Sequence, residues 1–297
     1  MFNFNEFSKN RQILMGLSIF MIMIFHCRIP LCRFCNIGVE FFLLLSSMGL
    51  YYSYKKNNNI KDFYKRRLLR IIPVYLLVAI PLFFVCTDYN IAKTIYYTLG
   101  MYIFEGKRYL WFINLILICY ALFPLCFISV QKKYGGIVPF LAIPICFICG
   151  SLFPNIEILV NRIPIFLFGV YMAKYIQAGK EVKFKYMLIL GWLSFGLLFV
   201  TSNFVACNVG IKRYVYFFTA LPTLFLCLQM LKNCPASIKK FFCFLGTITL
   251  ELYLIHENVI GRFLTHFMHH GVALIVGIPF ALLFAYILKR ISSRCFI

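Results

Sequence analysis

Long apolar runs alternate with short polar breaks along nearly the whole chain. A helix needs about 20 mainly apolar residues to cross the hydrocarbon core of a bilayer. Runs of that kind lie near 12–27, 37–54, 71–88, 110–128, 137–154, 158–176, 186–206, 213–231, 243–264 and 271–288. The stretch 95–104 is apolar but too short to span, and it reads as an interfacial or re-entrant piece within a longer loop. The longest polar stretch is Lys55 to Arg70, and no internal repeat or low-complexity tract interrupts the pattern. Residues 1–11 are polar, and no small-residue cleavage site follows the first apolar run, so no cleavable signal peptide is expected. The expectation is an all-α, polytopic integral membrane protein of about ten transmembrane helices, with one domain over residues 1–297.

Composition excludes the soluble alternatives. Of the 297 residues, 62% are hydrophobic and only 13% are charged. Soluble domains are roughly half apolar and a quarter charged. Thirty basic residues against nine acidic ones give a net charge of +21. In a soluble chain that excess would suggest nucleic acid. Here it follows topology. With the N-terminus inside, the inner segments carry Lys9 and Arg11, the Lys55–Arg70 cluster, Lys132 and Lys133, Lys174 to Lys185, Lys232 to Lys240, and Lys289 to Arg294. Arg28, Arg33, Lys93, Lys107, Arg108, Arg162, Lys212, Arg213 and Arg262 fall on or near the outer side. The positive-inside rule therefore favours ten spans with both termini cytoplasmic, and no nucleic-acid partner is expected.

Most of the thirteen cysteines lie inside spans, where a free thiol behaves as a small hydrophobe. Cys27, Cys32 and Cys35 cluster in the first outer loop, where a disulfide and unpaired thiols are both open readings. No second Cys or His pair stands at zinc spacing. His266, His269 and His270 precede the last span and read as loop histidines, so no metal is expected.

Ionisable groups within spans are costly and suggest function. His26 ends the first span and Glu40 opens the second. Both fall near the outer face on helices joined by a short loop. A carboxylate at that depth can fix the imidazole tautomer and leave the other nitrogen as a general base. The alternative is a pair of interfacial groups wetted by headgroups. Arg162 lies near the outer start of the sixth span, and Glu251, His256 and Glu257 lie in the ninth. On the inner side, Arg67 and Arg70 are three apart and share a helix face. Their guanidiniums suit phosphate oxygens. They also suit a juxtamembrane anchor on anionic membrane lipids.

Six segments match, in order, the motifs of a known family. They are ILMGLSIFMIMIFHC ending at Cys27, NIGVEFFLLLSSMGL ending at Leu50, and FYKRRLLRIIPVY from Phe63 to Tyr75. LWFI at 110–113, NRIPIFLFGVY at 161–171 and LGTITLELYLIHE at 245–257 complete the series. The chain resembles the bacterial transmembrane acyltransferases of type 3, which O-acylate surface glycans. The resemblance covers about residues 10–260. It implies a bundle of about ten helices in the cytoplasmic (inner) membrane. It also implies transfer of an acyl group, usually acetyl, from cytoplasmic acyl-CoA to a carbohydrate hydroxyl on the outer side. Carried over by motif position, His26 and Glu40 are the catalytic candidates. Arg67 and Arg70, with Arg11, are the acyl-CoA candidates. Ser46, Trp111, Arg162, Tyr253 and His256 are substrate or oxyanion candidates. No metal belongs to the set.

Two positions depart from the family pattern. Its first span usually carries an arginine eleven residues before the histidine, where this chain has Met15. Arg11 stands one turn closer to the cytoplasm on the same face. The Ser-Gly of the second motif is Ser46-Ser47 here, so the glycine that would permit a close backbone approach at that position is missing. Arg11 and His26 are fifteen residues apart, about 22 Å along a helix at 1.5 Å per residue. A chain the length of the CoA pantetheine arm spans roughly that distance. Buried ionisable groups also fit a transporter or lipid-linked glycan flippase, but carriers often show internal repeats and none is found here. An inactive relative acting as a scaffold is a third reading, kept open by Met15.

Overall fold

The computed structural model describes residues 1–205, 209–257 and 270–295. Nearly all of them are helical. The chain begins with a two-residue strand β1 (Phe2–Asn3) and helices α1 (Asn5–Lys9) and α2 (Arg11–His26). A 3-10 turn over Arg33–Ile37 leads into α3 (Gly38–Asn57), followed by α4 (Ile60–Cys86), α5 (Ile91–Thr98) and α6 (Trp111–Gln131). Then come α7 (Val138–Leu152), α8 (Glu157–Val160), α9 (Ile163–Gln177), strand β2 (Glu181–Val182), α10 (Phe184–Asn203) and α11 (Val209–Lys232). The described part closes with α12 (Ala236–Thr247), α13 (Thr249–His256) and α14 (His270–Cys295).

Among the described residues, eight helices are long and apolar enough to cross a membrane. They match the second to eighth and the tenth of the expected spans. The first, α2, has 16 residues and falls short of that length. The ninth is not one helix. It breaks at Ile248 into α12 and α13. Residues 258–264 of that expected span lie outside the described residues, with His266 and His269, and the His270 side chain is outside them too. The 95–104 stretch does not span: it holds the end of the eight-residue helix α5 and most of a 3-10 turn over Met101–Glu105.

The helices sort by what they face. In α3, 78% of the most apolar window is buried, against 22% in α7, α10 and α14. Thus α3 is the axis of the bundle and the other three turn large apolar side chains outward, as a lipid-facing helix must. Close crossings depend on glycine. A Cβ at Gly16 in α2 would collide with the Phe242 carbonyl oxygen of α12, and one at Gly246 with the Gln12 carbonyl oxygen. Small residues let membrane helices approach without losing packing area. The approach that Ser46-Ser47 leaves out of α3 is provided by its neighbour. A Cβ at Gly169 in α9 would run into the Ser47 hydroxyl. Gly16→Val is therefore expected to cost about 1–3 kcal/mol or more through overpacking, read as a lowered thermal unfolding midpoint in detergent.

The polar stretch before the third span is not a loop. Asn58 adopts a left-handed conformation (φ 34°) and ends α3. The Asn59 side chain then accepts hydrogen bonds from the amides of Lys61 (2.9 Å) and Asp62 (3.2 Å) and starts α4. Such a cap satisfies amides that the first turn leaves free. It carries Arg67 and Arg70 onto the rigid helix. At the same end of the bundle, β1 pairs with β2, and Glu6 bridges Lys232 at 2.7 Å and Lys9 at 3.2 Å. Those two lysines hold the Glu6 carboxyl below its ordinary range. Arg11, which opens α2, and Lys289, near the end of α14, line one cavity. The chain therefore enters its first apolar helix and leaves its last at one end of the bundle.

Candidate active site

Two cavities lie along α2. The larger, of about 480 Å³, is lined by α2, α3, α4, α6, α13 and α14, with Gly246 and Thr247 at the end of α12. One part of its wall is basic, with Arg11, Arg67, Arg70 and Lys289. Another is apolar and aromatic, with Phe42, Phe112, Ile113, Ile116 and Tyr120. Met15 and Ser46 face the same space. Arg11, one turn before Met15, brings a guanidinium to the wall of this cavity. Its Nε donates to the Leu45 carbonyl at 3.0 Å. Gly49 makes room for its guanidinium, which a Cβ there would meet at 2.6 Å. Arg67 is held by a bond from Nη2 to the Ser53 hydroxyl at 3.2 Å. Lys289 pairs with the buried Glu251 at 3.4 Å.

Tyr253 connects this cavity to the histidines. It lines the cavity, and its hydroxyl oxygen accepts a hydrogen bond from the Phe112 amide at 2.9 Å. Among the described residues its own proton has no acceptor. His256 follows three residues later, on the same helical face, with ring centroids 5.8 Å apart. His256 is fully buried. Its Nδ1 lies 2.9 Å from the Leu252 carbonyl oxygen. A carbonyl only accepts, so a neutral His256 carries its proton on Nδ1 and presents a lone pair at Nε2. That Nε2 is buried with no hydrogen-bond partner among the described residues. The His26 ring packs edge-on against His256 with centroids 5.0 Å apart.

His26 also lines the second cavity, of about 470 Å³, with Phe25, Arg28, Ile29 and Arg33. The three cysteines nearby, Cys27, Cys32 and Cys35, are free thiols.

The expected His26–Glu40 pair is not formed. Glu40 Oε1 accepts from Arg162 Nε at 3.2 Å and lies 4.0 Å from Arg213 Nη1. Arg162 also donates to the Ile158 carbonyl at 3.0 Å and stacks over Trp111 at 4.6 Å. Arg213 lies over Tyr216, whose hydroxyl meets that of Ser202 at 3.1 Å. Burial decides the partner: Arg162 is 1% exposed and needs a counter-charge inside the protein. The first turn of α3, whose amide dipoles favour an anion, supplies it in Glu40. Glu40, Arg162 and Trp111 line neither cavity. They brace α3, α6, α9 and α11. Arg213 was legible only as one of the outer basic residues. Its neighbour Lys212 shares that description, and nothing local marks Arg213 as the one that reaches Glu40. Lys289 and Thr249 were missed for the same reason.

The family model for an acyltransferase domain matches residues 13–290. The chain belongs to the acyltransferase 3 family. No curated protein and no solved structure gives a significant match. The matched span takes in the second cavity, the lining of the first except Arg11 and Gln12, the histidine pair and the Glu40 network. This multi-pass membrane acyltransferase therefore has its two packed histidines, His26 and His256, and three of its four basic pocket residues, Arg67, Arg70 and Lys289, within the domain that defines the family.

Proposed function

We propose that the protein moves an acetyl group from cytoplasmic acyl-CoA to a carbohydrate hydroxyl on the outer side of the cytoplasmic membrane. One observation carries this reading. A single cavity joins a basic wall at Arg11, Arg67, Arg70 and Lys289 to Tyr253, one turn from His256. Forked guanidiniums bind phosphate oxygens in pairs. The CoA phosphates sit on the basic wall, and the acyl-pantetheine arm lies along the apolar one. The thioester then meets Tyr253.

The chemistry follows from this placement. His26 takes the proton of the acceptor hydroxyl, and His256 packs behind it and fixes its position. The alkoxide oxygen attacks the thioester carbonyl. The C–O bond forms, and the carbonyl electrons move onto oxygen. Tyr253 donates its proton in a hydrogen bond to that oxyanion, its own oxygen held by the Phe112 amide. Ser46 faces the same cavity and is a second donor. The intermediate collapses, the C–S bond breaks, and the CoA thiolate recovers the proton from His26.

The test uses the full chain in lipid vesicles with radiolabelled acetyl-CoA and a pool of surface glycans. Arg67→Ala/Arg70→Ala is expected to weaken acetyl-CoA binding at least tenfold, since hydrogen bonds between charged groups contribute about 1.5–3 kcal/mol each. Rising salt should weaken the wild type in the same direction. Wild type that moves glycan but consumes no acetyl-CoA would instead be a carrier.

A further inference from the structure

We propose that the acceptor is an anionic carbohydrate, held through its carboxylate or phosphate by Arg28 and Arg33 beside His26. The inference rests on the acyltransferase reading and names its second substrate. His26 faces the second cavity, of about 470 Å³. Among the described residues, this cavity is lined by two arginines and by no acidic residue. Neither arginine has an ion-pair partner among the described residues. A group bound there would sit against the imidazole that takes its proton.

Topology does not account for these two charges. The basic clusters at Lys55–Arg70 and elsewhere mark the inner side, but Arg28 and Arg33 lie in the connection after His26, at the opposite end of α2 from Arg11. The connection is also fixed in place. Phe34 packs on Phe195 and Phe199 of α10, with centroids at 5.5 and 5.8 Å. The Asn203 side chain donates to the Leu31 carbonyl at 3.2 Å. Arg28 itself adopts a left-handed backbone (φ 53°). Two guanidiniums are thus presented from an anchored loop, and their forked donors match planar carboxylate or phosphate oxygens. A neutral sugar would offer them hydroxyl oxygens but no counter-charge.

The experiment uses the full chain in phosphatidylcholine vesicles. Two acceptor pools are compared: uronic-acid oligosaccharides, and the same pool with its carboxylates reduced to alcohols. Binding of each pool and acetyl transfer to each are measured separately, with acetyl-CoA consumption as the control on the underlying reading. The charged pool should bind more tightly and show the lower KM. Arg28→Gln/Arg33→Gln should raise that KM about three- to tenfold and leave the KM for the reduced pool in place. Arg28→Lys/Arg33→Lys should recover part of the loss. Equal KM values for the two pools, or binding of neither, would overturn the inference, and acetyl-CoA consumption would still stand for the enzyme. Arginine-dependent binding of the charged pool without acetyl-CoA consumption would support the anion site and sink the transferase reading. A preference that disappears when phosphatidylglycerol is added to the vesicles would assign the arginines to a lipid headgroup and overturn the inference.

Discussion

His26→Ala should lower acetyl transfer by about 100- to 10,000-fold, the range typical of a lost general base. Acetyl-CoA binding should hold within about twofold, because the residue lies outside the basic cavity. The substitution also removes little of the core, since His26 ends α2 half-buried between Phe25 and His256. Stopped acyl transfer and equilibrium binding, measured on one preparation, separate the two effects. His256 gives the contrast. It is fully buried and touches neither cavity. In this reading it positions His26, so His256→Gln should lower kcat and shift the pH profile of kcat with little effect on acetyl-CoA KM. A variant pair in which His26→Ala stays active and His256→Gln is dead would transfer the role of base to His256.

Glu40→Ala should destabilise the protein by about 3–5 kcal/mol, the cost of stranding a buried charge. Two guanidiniums lose their shared counter-ion, Arg162 at 3.2 Å and Arg213 at 4.0 Å. Arg162→Met should cost less, because Glu40 keeps Arg213 nearby. The double variant Glu40→Ala/Arg162→Met should recover part of the loss, since replacing both members of a buried pair is often nearly neutral. Thermal unfolding in detergent reads all three. The measurement also decides what Glu40 is for. A brace loses stability first and activity with it. An orienting partner of His26 would lose kcat in Glu40→Gln while the unfolding midpoint stayed at the wild-type value, and that result would restore the pairing the sequence suggested.

The two readings of Glu40 show how far sequence reasoning reaches. His26 and Glu40 were placed together because helix rise fixes depth: one residue ends a span and the next span opens with the other. Depth was right to treat as a constraint, but it says nothing about which way around a helix a side chain points. By motif position Arg162 is a substrate candidate, and its burial makes it the partner of Glu40. Met15 and Ser47 are similar. As departures from a motif they looked like losses. In three dimensions Arg11 reaches the same cavity as Met15, and Gly169 provides the small residue that Ser47 lacks. The helical period already ties Arg11 to Met15, but no local pattern ties Gly169 to Ser47.

The apolar runs determined that the chain is a helical membrane protein, and the six ordered motifs determined its family. Both are one-dimensional properties. The cost of exposing backbone polar groups to lipid forces every long apolar run into a helix, whatever its neighbours. The tertiary structure decided the partners. It added Lys289 to the wall that carries Arg11, Arg67 and Arg70. It turned Glu40 toward Arg162 and packed His26 on His256. Helix rotation and crossing set those contacts, and both are fixed by packing between segments far apart in the chain. A buried charge takes whichever opposite charge the packing brings within reach, and the order of residues does not record that.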